Sequence, residues 1–94
     1  MASVTKADTI TLVAATAAAT TLTQKWDVVE VVNHSTDAVV YARGDGTTAT
    51  VAGDNNEAIL PGERLSIGVA WSTAGEGTIS VISAGTPTVT VVGA

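Results

Sequence analysis

His34, Ser35 and Asp37 are the residues of this chain whose types come nearest to catalytic chemistry. An imidazole, a hydroxyl and a carboxylate are the parts of a nucleophilic triad, in which a base takes the hydroxyl proton and an acid orients the base. These three, however, lie along one turn, His34-Ser-Thr-Asp37, and neighbours on a turn rarely reach triad geometry. The expectation is a solvated turn residue at His34, the only histidine. Glu57 and Glu63 flank Leu60-Pro61-Gly62, and solvent-facing side chains are the simpler reading there too. Asp45, Asp54, Asn55 and Asn56 are loop oxygens of the kind calcium prefers. Their spacing fits no calcium loop, and no bidentate Glu stands at the twelfth position. Arg43-Gly44-Asp45 spells the tripeptide that integrin ligands display, but any tight turn favours Gly and Asp. Gly44-Asp-Gly46 is too short to cradle a phosphate, and no lysine follows it before a helix. Trp26 and Trp71 have the shape to stack sugars or bases. In a chain with no Phe they are expected instead as anchors: Trp26 packed at the start of a strand, Trp71 opening a polar loop and partly exposed. The residues therefore predict no catalytic site, no cofactor and no metal, and the chain is not expected to be an enzyme.

The elements that would carry these residues read as strands. Thr9-Ile-Thr-Leu-Val13 alternates with period two. Ala17–Thr23 is expected as a second strand hairpinned on the first, since its threonines disfavour a helix. Asp27–Asn33 is a strand with Val28, Glu30 and Val32 on one face and Val29, Val31 and Asn33 on the other. After the 34–37 turn comes Ala38–Arg43, so that 27–43 reads as a hairpin. Gly44-Asp-Gly46 is a tight turn, and Thr47–Val51 a short extended piece. Glu57–Leu60 closes at Pro61-Gly62, a type II turn signal. Leu65–Val69, Thr78–Ser83 and Thr88–Val92 complete the set. Residues 1–8 read as a short flexible N-terminal arm, and 9–94 as one domain. About eight short strands with regular turn signals predict an all-β fold, a small antiparallel β-sandwich or barrel.

Composition bounds the function. The chain has 94 residues, of which only 14% are charged, against about 25% for a typical soluble domain. It has no cysteine and three aromatic residues, Trp26, Tyr41 and Trp71. So small a core without disulfides or a structural metal points to oligomerisation or docking for stability. The net charge of −5 argues against nucleic-acid binding, which needs a basic stripe. Lys6, Lys25, Arg43 and Arg64 are scattered, which argues against a polybasic membrane anchor. Neither a signal peptide nor a membrane-spanning run is legible. The expectation is a soluble protein made in the cytoplasm, taking no small-molecule substrate and covered by partners in an assembly.

Five segments carry a resemblance: Ala7-Asp-Thr-Ile-Thr-Leu12, Trp26-Asp-Val-Val-Glu-Val-Val-Asn33, Thr50-Val-Ala-Gly-Asp-Asn55, Leu60-Pro-Gly62 and Val81-Ile-Ser-Ala-Gly-Thr-Pro-Thr-Val-Thr-Val91. In that order they resemble small β-sandwich virion proteins of tailed, especially actinobacterial, phages. Those are capsid decoration (cement) proteins or minor tail and fibre components. The resemblance implies a structural protein on the capsid surface that binds the major capsid protein shell and stabilises it, commonly as a homotrimer. A mobile leader beside an alternating strand can add to a neighbour's sheet. The expected contact residues are therefore Val4, Thr5, Thr9, Ile10 and Leu12, with Trp71 as an interface anchor. The alternative is a tail, fibre or host-surface adhesion module in which Trp71, Tyr41 and the 44–46 tip form a ligand site.

Overall fold

The computed structural model describes residues 6–94, with side chains from Ala7 onward. Val4 and Thr5, and residues 1–5 of the expected arm, lie outside the described residues. Among the described residues there is no helix. Eight strands form: β1 (Lys6–Thr11), β2 (Ala18–Leu22), β3 (Val29–Asn33), β4 (Val40–Arg43), β5 (Glu57–Ile59), β6 (Arg64–Ser66), β7 (Gly77–Ser83) and β8 (Thr88–Gly93). All pairings are antiparallel. Sheet A has the order β1-β8-β3-β6 and sheet B the order β2-β7-β4-β5. The two sheets make a small β-sandwich, and their interleaved orders are those of a jelly roll, two Greek keys wound together.

Every connection but one switches sheet; only β4 and β5 are consecutive within a sheet. Two expected hairpins are thereby corrected. β1 and β2 do not pair, because Leu12 turns into the core at 2% exposure and the chain crosses over. The crossing is held by Leu12 N–H to the Pro87 carbonyl (2.8 Å) and Ala15 N–H to the Ser83 carbonyl (2.8 Å). Nor do β3 and β4 form a hairpin. Asn33, at 1% exposure, fixes that crossing by donating Nδ2 to the carbonyls of Ala38 (2.7 Å) and Ile59 (3.0 Å). Its Oδ1 accepts the Ser35 N–H at 2.9 Å. β1 begins at Lys6 rather than Thr9, because residues 6–8 already pair with Gly93, Val92 and Val91. That places the last part of the expected arm inside a strand.

Alternation does the rest. Val29 and Val31 of β3 and Val89 and Val91 of β8 meet Val40 and Ala42 of β4 and Ile79 and Val81 of β7 in one core. Burying each Val or Ile is worth about 1.5–3 kcal/mol. Trp26 closes the core against Gly93, where a Cβ would stand 2.6 Å from the indole. Trp71 packs in the same way over Gly77, where a Cβ would lie 3.0 Å from its ring. Pro61-Gly62 does form a type II turn, with Gly62 at φ 76° and Glu63 N–H closing on the Leu60 carbonyl at 3.0 Å. The Thr47–Val51 piece joins neither sheet. It lies across sheet B, its Ala49 N–H donating to Ser80 Oγ at 2.9 Å.

Candidate interaction surface

The outer face of sheet A is paved by β1 and β8. Because side chains alternate along a strand, the inward turn of Val89, Val91 and Gly93 sends Thr88, Thr90 and Val92 outward. Thr9 and Thr11 do the same on β1. The register then sets Thr9 beside Thr90 and Thr11 beside Thr88. Their hydroxyls bond across the strands, Oγ1 to Oγ1, at 3.0 Å and 3.3 Å. His34 Nε2 meets Thr90 Oγ1 at 2.8 Å, so Thr90 joins a chain of three polar groups. Among the residues whose side chains are described, no charged one projects from this half of the face. Glu30 and Arg64 stand on the other half, on β3 and β6. A hydroxyl both donates and accepts, so this surface can hydrogen-bond to a partner's backbone or side chains without removing a charge from water.

The expected contact residues divide. Thr9 is exposed on this face. Ile10 points inward and packs against the core. Leu12 is buried and offers nothing to a partner, which corrects its place among the contacts. Trp71 belongs to a different surface, a hollow of about 260 Å³ lined with Trp26, Val28, Gly68 and Val69. Thr11, Thr88, Thr90 and His34 share the face with Thr9 and were not among the expected contact residues. The Thr-x-Thr spacing at 9–11 and 88–90 was visible, but the pairing of the two strands was not.

The chemistry-bearing residues have local employment. His34 reaches Thr90, while Ser35 Oγ donates to Asp37 Oδ1 at 3.0 Å and accepts the Ala38 N–H at 2.9 Å. Imidazole and hydroxyl are thus turned to separate partners. Arg43 clamps Asp45 with both Nε (3.1 Å to Oδ1) and Nη2, and its Nη1 donates to the Asp54 carbonyl at 3.3 Å. That fork keeps the Arg-Gly-Asp tripeptide folded on itself rather than displayed. The Arg43 hydrogen bond first, and the Thr47 N–H second, hold the Asp45 carboxyl at about 2, down from 3.8. Asn56 donates Nδ2 to the Asp54 carbonyl at 3.0 Å and accepts the Thr50 N–H at 3.3 Å. Among the described residues no group of three or more His, Cys, Asp or Glu is placed to hold a metal.

A second cleft, about 610 Å³, opens on the sheet B side between Tyr41, Val51, Ser83 and Pro87, with Ser35 and Asp37 in its lining. Tyr41 and Trp71 thus line different hollows, and the structure does not bring them into one ligand site. Comparison with known protein families, curated proteins and solved structures finds no match to this chain.

Proposed function

We propose that this chain is a structural protein of a phage virion, a capsid decoration (cement) protein. It docks on the outside of the major capsid protein shell and stabilises it, after synthesis in the host cytoplasm. The observation that carries this reading is the uncharged, threonine-paved outer face of β1 and β8. A flat face of paired hydroxyls suits a broad contact with little desolvation of charge. Repetition of a modest contact over a symmetric shell multiplies its strength. The jelly-roll order supports the reading at the level of architecture, since viral capsid and lectin domains use it, although topology alone assigns no function. The test separates intact heads from tails of the source virion and quantifies the protein in each. Abundance in heads supports decoration, and confinement to tails or absence from both refutes it.

A second reading, a tail, fibre or host-surface adhesion module, is favoured by the Tyr41 cleft, whose volume falls within the usual range for ligand pockets. Retention on host cell-wall material that is lost in Tyr41→Ala would establish it.

A further inference from the structure

Trp26 and Trp71, whose rings have the shape to stack sugars or bases, converge in the fold. Both line the hollow of about 260 Å³ beside the start of β3 and the end of β6. Trp71 is half-buried and lies over Gly77, where a Cβ would stand 3.0 Å from its ring. Exposed Val28 and half-buried Val69 extend the apolar lining. Asp27 and Ser66, both exposed, are its polar members, and no described Lys or Arg lines it. Trp26 is 7% exposed, and its indole Nε1–H has no hydrogen-bond partner among the described residues. A buried Trp N–H usually finds an acceptor, and one left without it weakens the fold. Neither the threonine face nor the Tyr41 cleft uses any of these groups.

We propose that this hollow binds one neutral pyranose ring. Apolar walls with a few polar groups are the usual make-up of a small-ligand site, and the volume lies just below the usual range of roughly 300–1,000 Å³. It therefore takes a single ring rather than a chain. The C–H side of a pyranose carries partial positive charge and lies against the electron-rich face of Trp71. Its hydroxyls donate to the Asp27 carboxylate, exchange hydrogen bonds with Ser66, and offer the Trp26 N–H the acceptor it lacks. Charge narrows the choice of ligand. Asp27 and a net charge of −5 turn away nucleotides and other anions. A quaternary ammonium suits aromatic rings but accepts no hydrogen bond, so it leaves the Trp26 N–H unmet. The inference depends on neither reading of the protein's function.

Both tryptophans of the chain lie in the site, so their two indole N–H signals in a proton–nitrogen correlation spectrum report on it directly. The full chain is titrated with the methyl glycosides of glucose, galactose, mannose and N-acetylglucosamine through the millimolar range, where a one-ring contact falls. Choline is titrated for comparison. At least one glycoside should shift both indole signals saturably. Trp71→Ala should weaken that glycoside by about tenfold or more, read from the Trp26 signal. In case Trp71→Ala fails to fold, Asp27→Asn changes an exposed position and should weaken the same glycoside by about threefold. Tyr41→Phe, in the other cleft, should leave its affinity unchanged. Four glycosides that shift neither signal, shifts that never saturate, or choline bound in their place would each overturn the inference. So would affinity undiminished in Trp71→Ala or Asp27→Asn, or affinity lost in Tyr41→Phe.

Discussion

The two outer faces of this sandwich are finished in opposite ways. On sheet A the outward residues Thr9 and Thr11 of β1 are exposed, and Thr88, Thr90 and Val92 of β8 are half-buried, with no described loop laid over them. On sheet B the outward residues of β7 lie under the connection between β4 and β5, so that Ser80 is 6% and Ile82 7% exposed. That connection, residues 44–56, is pinned to the sheet by Ala49 N–H on Ser80 Oγ and folded by the Arg43 fork on Asp45 and the Asp54 carbonyl. One sheet therefore uses its outer face for internal packing, and the other leaves its outer face uncovered by any described loop. A four-stranded sheet can lose its wet side to a loop when the loop brings its own hydrogen bonds.

The sharpest way to break this comparison is to make one truncation on each face. Ile82→Ala removes a buried side chain beneath the 44–56 cover and should cost about 2–3 kcal/mol in urea unfolding. Val92→Ala, at the matching outward position on sheet A, is half-buried and should cost less than about 1 kcal/mol. Equal losses would mean that the two faces are equally dry, and the comparison would fall.

Gly44→Ala attacks the base of the cover. A Cβ there would stand 2.2 Å from the Gly68 carbonyl oxygen and 3.2 Å from Ile79 Cδ1. Backbone must shift to admit it, at about 1–3 kcal/mol. In a domain of this size each kcal/mol lowers Tm by about 4–8 °C, so a thermal melt reads the effect directly. The same change at Gly68 meets nothing within 4 Å, which makes Gly68→Ala the control.

These contrasts were half legible in the sequence. Strand positions followed from period-two runs, and the split of β3 into Val29, Val31 and Asn33 against Glu30 and Val32 was read correctly. β7 carried a signal that went unused. Ile79 and Val81 occupy one face and Ile82 the other, so apolar residues of both parities mark a strand covered on both sides. The hairpin readings failed for a different reason. Turn chemistry at His34–Asp37 and at Pro61-Gly62 states that the chain bends, not which sheet receives it. Asn33 decides that at one crossing, through bonds to Ala38 and Ile59 that local pattern cannot show. The candidate face was hidden likewise, because Thr9 and Thr90 are neighbours only through the β1–β8 register.

Acid should loosen the covered face first. The Asp45 carboxyl is held at about 2 against 3.8 unperturbed. A depressed folded-state value contributes stability that is fully present above the unfolded value and lost as pH falls through the folded one. Between pH 3.8 and about 2 the Arg43 clamp should therefore weaken. Amide exchange at Ala49 should accelerate over that interval, while amides of the β1–β8 ladder should not follow it. Arg43→Met should remove this acid dependence at Ala49. Parallel loss of protection on both sheets would show global unfolding instead of a local release.

On the open face stability and contact should come apart. Thr90 bonds Thr9 and His34 at the surface, where each such bond competes with water, and Thr90→Val should change unfolding free energy by no more than about 0.5 kcal/mol. Thr90→Lys should be nearly as mild for folding, because the lysine head reaches solvent. It would nevertheless place a charge in the middle of the uncharged half of the face, to be desolvated by any partner seated there. Mixed with undecorated heads, Thr90→Lys should be retained far less than the parent, and Thr90→Val should lie between them. Undiminished retention of Thr90→Lys would move the docking surface off sheet A, and leave its threonines as no more than a well-ordered solvent face.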